Sequence, residues 1–118
     1  MAPVSDALIN DGEGFGGFSY KKLYNSKEGK YIDWFNTQCY GSYTLDTYEK
    51  IINNGYPPEK VVFGMLAGDY ADFTKSLTEI NKVKEIYNNV KGVFVWEYCD
   101  APPDKNDSSQ WCKIIKGV

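Results

Sequence analysis

The chain has 118 residues, of which 42% are apolar and 16% aromatic, with ten Tyr and three Trp. That is the composition of one small globular domain, or of a piece of a larger one, and not of a disordered segment. Thirteen basic residues, all Lys, stand against 16 acidic ones for a net charge of −3, which leaves no basic footprint for a nucleic-acid backbone, and no apolar run reaches the ~18 residues of a membrane span.

Nucleic acid and membrane are therefore not expected as partners. There is no His, which removes the commonest general base, the Ser-His-Asp and Cys-His nucleophile systems and most zinc sites. Met1-Ala2-Pro3-Val4 lacks the basic and apolar regions of a signal peptide and reads as the tail of a strand. Residues 10–20 form a Gly-rich loop. Gly12, Gly14, Gly16 and Gly17 sit between no clear strand and helix, and no Gly-Lys-Ser/Thr follows, so a surface loop is the better reading than a phosphate cradle. A short helix is expected at Tyr20 to Tyr24.

From residue 31 the pattern alternates. Tyr31 to Tyr40 is dense in aromatics and ends at Gly41, which predicts a strand. Thr44 is placed to cap a helix carrying Leu45, Tyr48, Ile51 and Ile52 at helical spacing, and Gly55 is suited to its left-handed end. The continuous apolar run Val61 to Ala67 predicts a strand buried on both faces. Ser76-x-x-Glu79 has the pattern of a capping box before a helix lined by Leu77, Ile80, Val83 and Tyr87. A third strand is expected at residues 92–98, and a last short helix, capped by Ser108 or Ser109, contains Trp111, Ile114 and Ile115.

Three strand-helix units with short connections predict an α/β fold, a parallel sheet of three to four strands with outer helices. The organisation expected is one partial domain over 1–118, with a strand end and the Gly-rich loop in 1–30 and the three units in 31–118. Cys39, Cys99 and Cys112 contain no CxxC pair and are read as buried free thiols. No metal and no cofactor are expected.

Alternation puts Asn36, Gln38 and Tyr40 on one face of the first strand and Phe35, Thr37 and Cys39 on the other. In the last strand Trp96 and Tyr98 are expected to share a face that Asp100 continues. Ligands of α/β proteins bind at the carboxyl ends of strands, and aromatics mixed with amides and phenols suit a sugar. The same Trp96 and Tyr40 would equally serve as core fillers, and spacing alone does not separate the two.

Met1-Ala2-Pro3, the Gln38-Cys39-Tyr40 strand end, Gly64-Met65-Leu66 and the segment Gly92-Val93-Phe94-Val95-Trp96-Glu97-Tyr98 resemble successive strands of glycoside hydrolase family 18. That family contains chitinases and endo-β-N-acetylglucosaminidases. The resemblance covers nearly the whole chain and implies the C-terminal half of a TIM (β/α)8 barrel. It implies substrate-binding roles for Gln38 and Tyr40, at the N-acetyl group, and for Trp96, as the floor under the sugar. Cys39 departs from the Phe often found between such a Gln and Tyr. The family's D-x-x-D-x-D-x-E motif, which carries the catalytic acid, is not found in these residues; Asp100, Asp104 and Asp107 are differently spaced. No catalytic residue is assigned. Glu97 and Asp69 lie near strand ends, but nothing in the sequence gives either the set position and raised pKa of a general acid.

The expected function is thus part of a family 18-like glycosidase acting on N-acetylglucosamine-containing glycans, binding them weakly and not cleaving them alone. The alternative is a non-catalytic carbohydrate-binding or scaffold module. Half a barrel leaves strand edges bare and would place Phe63, Phe94 and Val62 near water, so a second copy of the chain, or the barrel's other half, is an expected partner. If Met1 is the true start the expected location is the cytoplasm; if the sequence begins mid-barrel, a secreted parent is expected.

Overall fold

Three parallel strands, each followed by a helix, form the frame of the chain in the computed structural model, which describes residues 1–69 and 72–118. Residues Met1 to Val4 run extended beside the first strand: the amides of Asn36 and Gln38 donate to the carbonyls of Met1 and Pro3 at 2.7 and 2.8 Å. Helix α1 (Ser5–Ile9) follows at once. It was not expected from the sequence, because five residues are too short to show a helical period. The Gly-rich stretch is a small antiparallel turn, bridged from Glu13 to Ser19, with Gly17 in the left-handed region at φ +69°. Helix α2 (Tyr20–Tyr24) lies where it was expected, and Ser19 accepts from the amide of Lys22 at its start.

Strand β1 (Phe35–Gln38) is shorter than the predicted 31–40. Gly29–Tyr31 forms a 3-10 turn that leaves Tyr31 exposed; the aromatics before Phe35 raised strand propensity, but the ladder with β2 begins only at Phe35. Helix α3 (Leu45–Asn53) begins at the predicted cap, Thr44, whose hydroxyl accepts from the amide of Thr47 at 3.2 Å. It ends before Gly55, at φ +94°, and Lys21 donates to the carbonyl of Asn54 there. Strand β2 (Val61–Leu66) is the middle strand, between β1 and β3 (Gly92–Trp96). In register, Phe35 faces Val61 and Gln38 faces Gly64, while Val62 faces Gly92 and Leu66 faces Trp96. Strand β3 stops at Trp96, and Tyr98–Asp100 turns into a 3-10 helix. Trp96, Tyr98 and Asp100 therefore do not share one strand face as expected. Helix α5 (Ser109–Lys116) closes the chain; Ser108 stands at its N-cap but makes no side-chain capping bond.

Helix α4 (Phe73–Ile86) starts three residues before the expected capping box. Asp72 is the cap, accepting from the amide of Thr74 at 3.0 Å. Ser76 lies inside the helix and donates to the carbonyl of Phe73. Glu79 caps a different helix: its carboxylate accepts from the amide of Leu45, in the first turn of α3, at 2.7 Å, and pairs with Lys82 at 2.6 Å. Burial pushes the Glu79 carboxyl up, but the bonds from Lys82 and Leu45 together outweigh it and hold the group below its ordinary value. A carboxylate lowered in this way contributes stability that is complete above the ordinary carboxylate range and is lost as pH falls through the folded value. Glu79→Gln is expected to lower stability by about 1 kcal/mol at neutral pH, the scale of one charged hydrogen bond at a helix start, with the difference from wild type shrinking in acid. Urea melts at two pH values check this.

The core lies between the sheet and the helices. Phe35, Val61, Phe63 and Met65 point into it and are fully buried. Tyr43 stacks on Phe63 with ring centroids 3.7 Å apart, and Tyr48 meets the same ring edge-on at 5.4 Å. The expectation that Phe63 and Val62 lie near water is overturned. Phe63 is on the helix-facing side of β2, and Val62, on the other side, is also buried. Of the three, only Phe94 is partly exposed.

Candidate functional site

The face of the sheet away from the helices carries Asn36 and Gln38 from β1, Val62, Gly64 and Leu66 from β2, and Phe94 and Trp96 from β3. Their register lines up Gln38, Gly64 and Phe94 in one row. Gly64 is what lets Phe94 lie flat on that row: a Cβ at Gly64 would overlap the Phe94 ring and come within 2.6 Å of the Thr37 carbonyl. The result is an open groove of about 640 Å³ lined by Ala2, Asn36, Gln38, Tyr40, Phe94 and Trp96. The three predicted site residues, Gln38, Tyr40 and Trp96, are thus brought together at one hollow. A smaller hollow, lined by Met1, Tyr31, Ile32, Asp33, Trp34 and Asn36, lies toward the N-terminal end of β1, away from the strand ends that carry Tyr40 and Trp96.

The two amides of β1 are each oriented by a partner. The Gln38 amide donates to the carbonyl of Ala2 at 2.7 Å. A carbonyl can only accept, so this bond uses one N–H and fixes which way the amide points, leaving the Gln38 Oε1 as an acceptor. Asn36 is the reverse: its Oδ1 accepts from the Trp34 indole at 3.0 Å, leaving its NH2 as donor. Burial, and next the neighbouring Cys39, push the Tyr40 phenol up, so it stays protonated and can donate or accept. Trp96 is 59% exposed, and neither it nor Tyr40 is a core residue.

Cys39, between Gln38 and Tyr40, points the other way and is fully buried, with burial pushing its thiol up to about 12, so it is a neutral packing group. The expectation of three buried thiols fails for Cys99, which is exposed, and Cys112, which is half-buried; all three are free. Cys99 left the interior because β3 ends before it. Of the two carboxylates near strand ends, Glu97 is exposed and joined to Trp96 by a cis peptide, and Asp69 accepts a 2.6 Å bond from the amide of Gly41. Among the described residues, Glu97, Cys99 and Asp100 bring possible metal-ligating atoms within 4.8 Å of one another, all three on exposed residues. Phe94 and Ala2 were missed as lining residues. Phe94 was findable, since it stands two positions before Trp96 and so shares its face; Ala2 was not, because its position depends on the pairing of residues 1–4 with β1.

No protein-family model matches the chain, and no curated protein matches it. Solved structures do. A fungal endo-β-N-acetylglucosaminidase of glycosyl hydrolase family 18 is 31% identical and superposes with a TM-score of 0.83 over 97% of this chain and 43% of its own. A chitinase from Aspergillus fumigatus is 30% identical, with a TM-score of 0.75, over 98% of this chain and 45% of its own. The chain therefore spans less than half the length of either.

Proposed function

Because the chain carries the fold of part of a family 18 glycoside hydrolase barrel, we propose that its groove holds one N-acetylglucosamine unit of a glycan without cleaving it. The observation that carries this reading is the composition of the groove: an apolar floor of Phe94 and exposed Trp96, with a donor at Asn36, an acceptor at Gln38 and a phenol at Tyr40. Sugar rings stack on aromatic faces while their hydroxyl and acetamido groups need polar partners. Binding is weak. Each hydrogen bond nets about 0.5–1.5 kcal/mol, against several kcal/mol of association entropy, so millimolar affinity is expected. Cleavage needs an acid at the leaving oxygen. Glu97 is exposed, and Asp69 is engaged with the amide of Gly41.

A second reading, self-association, is favoured by the sheet edges. Among the described residues, β3 pairs on one side only, and the far edge of β1 is lined by residues 1–4. That makes four parallel segments per chain, and a parallel barrel closes at eight. A two-fold axis along the strands keeps all of them parallel, joining the β3 edge of one copy to the residue 1–4 edge of the other. The barrel's other half, on another chain, would meet the same edges.

One set of measurements tests these readings. Chito-oligosaccharide titrated into the isotope-labelled chain is expected to shift the signals of Gln38, Tyr40 and the Trp96 indole at millimolar concentration, with no turnover of a fluorogenic analogue. Light scattering is expected to give about twice the 13.4 kDa chain mass. Turnover that survives repurification and disappears in Glu97→Gln would overturn the non-catalytic reading, and a monodisperse monomer at high concentration would overturn self-association.

A further inference from the structure

The geometry points to Asp69 as the residue that positions Tyr40, an assignment that rests on the groove being a glycan site. The amide of Ser42 donates to the carbonyl of Cys39 at 3.1 Å, closing a four-residue turn with Tyr40 and Gly41 at its centre. Gly41 has φ +72°, the left-handed value that a type II turn requires at its third residue. The N–H of that residue belongs to the central peptide of the turn and takes no part in the turn's own hydrogen bond. In the commoner type I turn the same peptide is flipped over.

Here the Gly41 N–H donates to Asp69 Oδ2 at 2.6 Å. Asp69 ends the 3-10 turn Ala67–Asp69, which follows β2 directly and is anchored by buried Ala67. The carboxylate therefore holds the Tyr40–Gly41 peptide in one of its two orientations. It also ties the C-terminal end of β1 to that of β2. Tyr40 springs from the held peptide and lines the groove. Asp69 is thus a positioning residue that acts through the backbone of the residue it holds, not a proton donor.

The test compares wild type, Asp69→Ala and Asp69→Asn, since Asn keeps an oxygen that can accept from Gly41. Amide exchange at Gly41 and the ring resonances of Tyr40 are read without sugar, and chito-oligosaccharide affinity is read by titration. Amide exchange at Phe63 in the central strand reports whether the fold is intact. Asp69→Ala is expected to speed Gly41 exchange about tenfold, move the Tyr40 ring signals and weaken binding by roughly threefold to tenfold, the scale of one hydrogen bond. Asp69→Asn is expected to restore most of each, with Phe63 exchange unchanged throughout. Unchanged Gly41 exchange and Tyr40 signals in Asp69→Ala would overturn the assignment, as would wild-type affinity in that variant. If wild type binds no sugar while Gly41 and Tyr40 still respond, the groove reading fails and the positioning of Tyr40 stands.

Discussion

Trp96→Ala is expected to remove detectable glycan binding while leaving the fold in place. The side chain is 59% exposed, so the folded state draws little stability from it. In the proposed reading it is a stacking surface, and it lines the same groove as Asn36 and Gln38 of β1. Loss of a central aromatic anchor typically costs at least ~2 kcal/mol of binding, about thirtyfold. For a millimolar complex that moves the dissociation constant beyond reach of titration. Trp96→Phe retains a smaller ring and is expected to keep part of the affinity. Cys112→Ser, in α5 on the helix side, is expected to change nothing in the titration. A Trp96→Ala chain that binds chito-oligosaccharide as wild type does would show that the sugar sits elsewhere.

Phe63→Ala is expected to be the most destabilising single change, at about 3–5 kcal/mol. Phe63 is fully buried in the middle strand, stacked under Tyr43 and met edge-on by Tyr48. Both tyrosines also donate to carbonyls of the same strand, Tyr43 to Phe63 and Tyr48 to Val61, so emptying the ring site loosens packing and hydrogen bonding together. Against the 5–15 kcal/mol typical of a domain, such a loss leaves a chain near its melting point. Phe94→Ala, on the groove side and partly exposed, is expected to cost well under half as much. Urea unfolding of the two variants checks the contrast; equal costs would mean that the groove face is packed as tightly as the helix face.

The strand-helix repeats were legible because β2 and β3 carry compact apolar runs and the longer helices α3 and α4 carry periodic ones. The cap at Thr44 and the left-handed Gly55 were legible for local reasons, since each acts on backbone a few residues away. What the sequence hid was non-local. Glu79 has the spacing of a capping box with Ser76, yet its partner is Leu45 on another helix. Asp69 reads as a loose carboxylate near a strand end until the fold brings Gly41 to it. The ends of β1 and β3 were overestimated for one reason: aromatic residues favour strands, but a ladder continues only where a neighbour's backbone runs alongside. Of the groove, Gln38, Tyr40 and Trp96 were marked by alternation and family resemblance together. The sense of each amide depends on Ala2 and Trp34, partners that alternation does not reveal.

The two faces of the sheet divide the chain's vulnerabilities between interleaved positions. Along β1 and β2 the odd-numbered residues Phe35, Thr37, Phe63 and Met65 face the helices, while Asn36 and Gln38, with Phe94 and Trp96 of β3, face the groove. If the groove binds a glycan as proposed, its preference can be diversified at Asn36, Gln38 and Trp96 with little expected effect on whether the chain folds. Gly64 is the exception. Any side chain there meets Phe94 above and the Thr37 carbonyl beside it, so this one position ties the shape of the groove to the integrity of the sheet and is closed to that kind of change.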